Sequence, residues 1–383
     1  MRSLRKRVIV VAASCVCCAT VGAAYAVAGV SASSKDIVLG LNNMSTGQGA
    51  LFGAQYLVGA QVAVDDINKA GGINGRKVKL IVRDSKTDPV QGVQTSIQLL
   101  NSDHVDALLC NCFTTIMFPI AHALAKKKTV IFSSASSSPA LSQQGTNLVS
   151  TIATDDQVAP VIAAWMYNRR FRRAGVVAPT DQIGVAEAAE FIKKYKSLGG
   201  TIVTRVNTGD NLPDYTSEMQ RVVSSGAKVL FFLSVGADGQ LQFRELNQLG
   251  WKGLVFVLYP SGNGLNTDPN ANGRVFGVEP GFGPKTASLQ TKFQKSSHKP
   301  AAWFNGVGYD TVQIAARAVA TAKDPKSVKS VQQAAVKASR SFAPATGKYQ
   351  FNSHHIRINP AVAYFACKNG QFIRVTKAGK IIK

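Results

Sequence analysis

Short apolar runs alternate with helical stretches of ten or so residues through most of this chain, and that alternation limits the fold more tightly than any single motif. "DIVLGLNN", Asp36 to Asn43, reads as a buried strand and is followed by the glycine-rich loop "STGQGALFG". From Ala54 to Ala70, Leu57, Ala60, Val64 and Ile67 recur at helical spacing and form one apolar stripe. Gly71 suits the left-handed conformation that stops a helix, and Asn74-Gly75 is a turn pair. Val78, Leu80 and Val82 then alternate with Lys77, Lys79 and Arg83, as a half-buried strand does. Together these segments make a strand–helix–strand unit.

The unit recurs. A helix over Val90 to Leu100, the strand "VDALLC", the helix "PIAHALAKKK" and the strand "TVIFSS" complete a first series, which runs into a serine-rich loop from Ser133 to Ser138. After Thr154 a second series begins. Helices over Val158 to Arg169, Val185 to Leu198, Tyr215 to Ser224 and Leu241 to Leu249 alternate with the strands "AGVVAP", "TIVTRV", "KVLFFLS" and "GLVFVLYP". Strands joined by helices of this length lie parallel, with helices on both faces of the sheet. Two such series predict an α/β chain of two doubly wound parallel-sheet lobes. The Gly/Asn/Pro-rich piece from Ser261 to Pro284 is expected as a loop and lobe crossing. Helices over "GYDTVQIAARAVATA" and Ser327 to Ser339, then strands "GKYQF" and "AVAYFACKNGQFIRV", close the chain. No period of 20–50 residues repeats, which excludes a solenoid.

A length of 383 residues suits two such lobes, and 45% hydrophobic residues exclude general disorder. Arg2, Arg5, Lys6 and Arg7 precede an uncharged stretch from Val8 to Val30, in which Ala24-Tyr25-Ala26 and Val30-Ser31-Ala32 offer small-x-small cleavage patterns. Cleavage, retention as an anchor, and lipidation at the loose "AASC" site all fit this leader, and each places the body outside the cytoplasmic membrane. Beyond it lie Cys110, Cys112 and Cys367, an odd number that leaves one thiol unpaired or paired between chains. Cys-x-Cys without a nearby His is half a metal site, because zinc takes four ligands. The pair is read as buried strand cysteines whose bond state the spacing leaves open. The net charge of +23 suggests attraction to an anionic envelope. Its clusters at Lys126–Lys128 and Arg169–Arg173 lack interleaved aromatics, so nucleic acid is not an expected partner.

At the carboxyl ends of parallel strands, loops carry N–H groups and hydroxyls into a crevice. Here those positions hold "NNMSTGQGALFG", "NCFTT" and "SSASSS". Hydroxyls and amides at helix starts bind a carboxylate without a cationic side chain, although Ser and Thr there also serve simply as caps. Three such loops in one lobe point to a site for a small anion. Gly47, Gly49 and Gly53 miss the dinucleotide fingerprint by one residue, and Asp84 lies farther along than its ribose-binding acid, ~20 residues on. No Gly-x-Ser-x-Gly elbow or His-Glu-x-x-His occurs, and His104, His122, His298, His354 and His355 have no obvious Ser or Cys partner. The expectation is a binding protein with no catalytic residue, metal or cofactor.

"MSTGQGALFGAQYLVGAQVAVDDINKAGGINGRKVKLIVRDSKTDP" resembles the N-terminal signature of extracellular solute-binding proteins of the branched-chain amino acid (Leu/Ile/Val-binding) type. "TTIMFPIAHAL", "SSASSSPALS", "WFNGVGYDTV" and "TGKYQFN" follow in that family's order. The resemblance implies a type I periplasmic-binding-protein-like fold with three crossovers, near Thr154, Gly281 and Ala343. The lobes are then residues 33–154 with 281–342, and 155–280 with 343–383, after a leader at 1–32. It further implies that Thr114, beside Thr115, takes the carboxylate-binding hydroxyl position. Ala135 and Ser137, flanking Ser136, hold the ligand's polar end, and Phe52 packs on it. In the second lobe Ile183 and Gly236 stand where the family has aromatics, and Ser261 where it has the acid that pairs with the ligand's ammonium. Loss of that acid removes a charge-assisted hydrogen bond of ~1.5–3 kcal/mol. The ligand then lacks an amine, or Asp238 or Asp181 substitutes. The implied function is capture of a small carboxylate-bearing ligand, a branched-chain or related amino acid by default, for delivery to an ABC importer. An amine-free aromatic acid or amide, or a ligand-sensing receptor role, is the alternative. Partners are the ligand and ABC permease subunits. The protein is expected as a monomer in the periplasm or on the outer face of the cytoplasmic membrane, with or without a lipid anchor.

Overall fold

The computed structural model describes residues 35–283 and 286–381. The leader expected at 1–32 lies outside the described residues. The first series runs β1 (Ile37–Asn43), α1 (Ala50–Lys69), β2 (Val78–Asp84), α2 (Pro89–Asn101), β3 (Ala107–Asn111), α3 (Thr114–Ala123), β4 (Ile131–Ser133) and β5 (Leu148–Ala153). The second runs α4 (Asp155–Asn168), β6 (Arg173–Pro179), α5 (Gln182–Ser197), β7 (Thr201–Thr208), α6 (Thr216–Ser224), β8 (Val229–Phe232), α7 (Gly236–Gln248), β9 (Leu254–Leu258), the single turn α8 (Pro260–Asn263) and β10 (Val275–Pro280). The remainder is α9 (Ala287–Ser297), α10 (Trp303–Thr321), α11 (Val328–Ala338), β11 (Gln350–Phe351), β12 (Ile356–Ile358), β13 (Val362–Lys368) and β14 (Gln371–Val375).

Two lobes result, each a seven-stranded mixed sheet with helices on both faces. The strand orders are β11-β12-β5-β4-β3-β1-β2 and β14-β13-β10-β9-β8-β6-β7. Adjacent strands of the central series pair in parallel, whereas β11 with β12, β10 with β13 and β13 with β14 are antiparallel. The stop after α1 has a conformational cause. Gly71 and Gly72 take φ of 95° and 87°, and Asn74 and Gly75, at 52° and 77°, turn the chain between the bridged Ile73 and Arg76. L-residues with a bulky Cβ rarely adopt this region. α2 starts where it does because the Asp88 side chain accepts the Gln91 N–H at 2.7 Å, with Pro89 at the first helical position.

Helices α1 and α10 approach backbone to backbone in the first lobe. A Cβ on Gly59 would lie 1.7 Å from the Asn305 carbonyl oxygen, and one on Gly308 would lie 2.1 Å from that of Tyr56. Only glycine permits this approach, which carries Phe52 of α1 to 4.8 Å from Phe304 of α10.

The structure departs from the sequence reading in three places. The stretch 261–284, expected as loop, contains β10, a central strand parallel to β9. Val275, Phe276 and Val278 are buried there, a short apolar run hidden between glycines and prolines. Strand β5 and helix α9 were not distinguished in the sequence; β5 carries two hydroxyls and α9 is mostly polar, so neither has strong apolar periodicity. Strands β11 and β12, within the stretch 343–358 expected in lobe 2, pair in the first sheet, so the last crossing falls between β12 and β13 and not near Ala343. β12 pairs with β5, and the buried Asp310 carboxylate of α10 accepts the N–H groups of Ala345 and Thr346 at 2.6 and 2.9 Å. Cys110 and Cys112, whose bond state the spacing leaves open, are buried and joined by a disulfide. Residues two apart in an extended strand are separated by roughly 6.5 Å. Here the chain leaves β3 at Asn111 and the Cα atoms come to 5.2 Å, within bridging range. Cys367 is free and buried.

Candidate functional site

The carboxyl ends of the parallel strands in both sheets converge on one cleft. Lobe 1 contributes Gln48 and Phe52 after β1, Phe113 after β3, Ala135 and Ser137 after β4, Ile152 of β5, and Phe304 of α10. Lobe 2 contributes Pro179 and Asp181 at the β6 end, Ile183, Gly184 and Glu187 on α5, and Thr208, Gly209 and Asp210 at the β7 end. Leu233, Ser234 and Val235 after β8, Asp238 and Gln242 on α7, and Leu258 and Tyr259 at the β9 end complete the wall. The cavity it encloses has a volume of about 100 Å³.

Local hydrogen bonds fix the loops that form this wall. Asp84, at the end of β2, accepts the N–H groups of Ser45 and Thr46 at 3.0 and 3.3 Å and the Thr46 hydroxyl at 2.7 Å. Its carboxylate thus pins the glycine-rich loop and is not oriented toward a ribose. Thr87 Oγ1 accepts the Gly49 N–H at 3.1 Å and donates to the Thr46 carbonyl at 2.7 Å. In the serine-rich loop, Ser134 Oγ donates to the Cys110 carbonyl at 3.0 Å, and the Ser137 carbonyl accepts the Asp155 N–H at 2.7 Å. Gln48 reaches from lobe 1 to lobe 2, its Nε2 donating to Asp238 Oδ2 at 2.8 Å and Asn211 Oδ1 at 3.0 Å.

Of the residues singled out in the sequence, the structure brings Phe52, Ala135, Ser137 and Ile183 to the cleft surface. Phe52 is 3% exposed, lies edge-on to Phe113 at 5.7 Å, and closes on Gly262 of lobe 2, where a Cβ would fall 2.0 Å from the ring. Thr114 is fully buried at the start of α3, its hydroxyl 3.1 Å from that of Ser136; Thr115 beside it is half-buried. Gly236 opens α7 at φ 59°, next to Val235 in the wall and against the Gln48 backbone. Ser261 lies apart, in a neighbouring pocket at the lobe boundary. Its hydroxyl donates to Glu279 at 2.6 Å and its carbonyl accepts Gln55 Nε2 at 2.6 Å. Asp238 is engaged by Gln48 and Asn211, and Asp181 Oδ1 caps α5 by accepting the Gly184 N–H at 2.7 Å.

Sequence reasoning missed Asp155, Glu187 and Tyr259. Asp155 opens α4 and is wholly buried, and neither of its carboxylate oxygens has a hydrogen-bond partner. The Glu187 carboxyl, the Ser137 hydroxyl and the Tyr259 phenol face it. Burial pushes Asp155 up to about 8. Burial, and then the charge of Asp155, raise Glu187 well above its ordinary range. A signal for Glu187 was present: it follows Ile183 by four residues, one turn along the same helix face. Asp155 had none, since an acid at a helix start usually serves the helix dipole. Chemically, the cleft sets neutral hydroxyl and amide groups of lobe 1 opposite carboxyl groups of lobe 2, with apolar side chains between them.

This fold and cleft define a two-lobed small-molecule-binding protein. The periplasmic binding protein family model matches residues 36–371, and the chain belongs to that family. It is 30% identical over 297 residues to Leu/Ile/Val-binding protein homolog 3 of Brucella melitensis biotype 1, spanning 74% of this chain and 78% of that one. The branched-chain amino acid transporter substrate-binding protein LivJ of Streptococcus pneumoniae, solved with isoleucine, superposes with a TM-score of 0.80 at 17% identity, over 91% of this chain and 99% of that one. An ABC-transporter solute-binding protein from R. palustris, solved with benzoate, gives 0.78 at 14% identity, over 91% and 97%. One fold thus serves an amino acid and an amine-free acid in these two neighbours, and the choice of ligand rests on the residues of the cleft.

Proposed function

We propose that the protein is exported and captures a small amine-bearing carboxylic acid, an amino acid or a close relative, between its lobes. It presents the ligand to the membrane permease of an ABC importer and does no covalent work on it. The observation that carries this reading is the polarity of the cleft. Neutral donors around Ala135 and Ser137, with the Thr114–Ser136 hydroxyl pair behind them, suit a carboxylate, and Asp155 and Glu187 across the cleft suit an amine. Phe52 and Ile183 contact the apolar part of the ligand from opposite lobes, and Thr115, Gly236 and Ser261 support the surrounding loops. An amine-free acid is disfavoured here, because it offers no positive group to Asp155 and Glu187, which would keep their protons and gain no charge-assisted contact. Hinged closure of the lobes traps the ligand. Titration calorimetry with a panel of amino acids, aromatic acids and short amides tests the reading. Saturable one-to-one heat from amine-bearing acids is expected; heat from no solute in the panel would refute it.

A further inference from the structure

The chain carries 44 Lys and Arg residues, yet among the described residues lining the cleft there is no Lys, Arg or His. Four acids line it instead: Asp181, Glu187, Asp210 and Asp238. Asp181 and Asp238 already accept protein N–H donors. Behind Glu187 lies Asp155, wholly buried, with both carboxylate oxygens unpartnered, and the buried Tyr259 hydroxyl also lacks a partner. The charged groups nearest this pair are themselves acidic, Asp156 beside Asp155 and Asp181 beside Glu187. Two carboxyl groups set together in a dry site require a cation or a shared proton.

Unliganded, the pair holds protons, in keeping with the upward shifts of Asp155 and Glu187. A zwitterionic amino acid brings its carboxylate to the neutral donors of lobe 1 and a single ammonium to the pair, so it displaces one of these protons. A second positive group displaces the other, and both acids then meet the ligand charge to charge. Phe52, Phe113, Ile183 and Leu233 supply apolar surface that suits the methylene stem such a group needs.

We propose that Asp155 and Glu187, completed by the Tyr259 hydroxyl, form a subsite for a ligand whose positive charges outnumber its negative ones: an amine or guanidinium on an aliphatic stem, in addition to any α-amino group. The proposal rests on the solute-binding reading above and deepens it by naming the ligand's charge class. Glu187 is the specificity-determining member, because it stands at the cleft surface while Asp155 lies behind it.

The test uses the purified full chain and four probes, L-arginine, L-lysine, L-leucine and benzoate, read by calorimetry and by ligand-induced shift in Tm. Arginine or lysine is expected to bind at least tenfold more tightly than leucine, with benzoate silent. Glu187→Gln is expected to weaken the cationic probe tenfold or more and to narrow its advantage over leucine. Leucine or benzoate binding as tightly as the cationic probes would overturn the subsite while leaving the solute-binding function intact. So would a Glu187→Gln variant with wild-type preference. The wild-type ranking needs no variant, so a poorly folded Glu187→Gln protein does not spare the proposal. Silence from all four probes overturns the subsite, and extension of that silence to the wider panel overturns the solute-binding reading as well.

Discussion

Replacing Gly59 by alanine sets two effects of opposite sign against each other in one methyl group. Alanine in a helix interior is favoured over glycine by ~1 kcal/mol. Against that, the new Cβ would lie 1.7 Å from the Asn305 carbonyl oxygen and 2.6 Å from its carbon. Non-bonded carbon contacts settle at about 3.5 Å, so the helices must separate by more than 1 Å. The obstacle is backbone, which has no rotamer to yield, and Gly308 interlocks with Tyr56 one turn away. Overpacking costs ~1–3 kcal/mol and sometimes more, and this contact belongs at or beyond the upper end. The net expectation is a loss of about 2 kcal/mol or more, from a total stability of ~5–15 kcal/mol. Because α1 and α10 also carry Phe52 and Phe304, whose rings are 4.8 Å apart at the cleft, the same separation should weaken ligand binding. Urea unfolding of Gly59→Ala beside the wild-type protein measures the first effect, and calorimetry measures the second. A variant as stable as wild type, or more so, with unchanged affinity would show that the α1 and α10 backbones do not touch at Gly59.

Burial pushes Asp155 from an ordinary 3.8 up to about 8 and Glu279 from 4.5 up to about 7, so each holds its proton longer in the folded chain than in the unfolded one. Their contribution to stability is complete at acid pH and is lost as pH rises through those values. Tm of the unliganded protein should therefore fall between about pH 4 and about pH 8, and Asp155→Asn should flatten the fall; an unchanged slope would contradict the assignment. Gln48→Ala removes the hydrogen bonds that link the lobes through Asp238 and Asn211. At ~0.5–1.5 kcal/mol net, it should speed ligand release by roughly two- to tenfold in stopped-flow measurements, with little change in Tm. In denaturant without reductant, Cys367 should alkylate while the peptide bearing Cys110 and Cys112 does not. Labelling of all three would exclude the disulfide.

The alternation of strands and helices, the glycine stop at Gly71 and the turn at Asn74-Gly75 were legible in the residues, because each depends on local periodicity or on a backbone conformation few residues tolerate. β10 was not legible, since its apolar run is short and embedded among turn-forming residues; only the slot between β9 and β13 makes it a strand. The last crossing was misplaced for a similar reason, because Asp310 binds residues 35 and 36 positions away. The site divides along the same line. Loops at strand ends in lobe 1 announced themselves by their hydroxyls and glycines, whereas Ser261 was placed by order of motifs and lies in a different pocket.

The layered α/β architecture follows from the spacing of apolar residues, and the hydroxyl- and glycine-rich loops at the strand ends mark where lobe 1 meets the cleft. The electrostatic character of the cleft comes instead from long-range packing. A chain with net charge +23 encloses an acidic site, because Asp155 and Glu187 are 32 residues apart in sequence and meet only when α4 and α5 pack together. Charge summed along a chain carries no information about which charges share a cavity; the packing of the helices does.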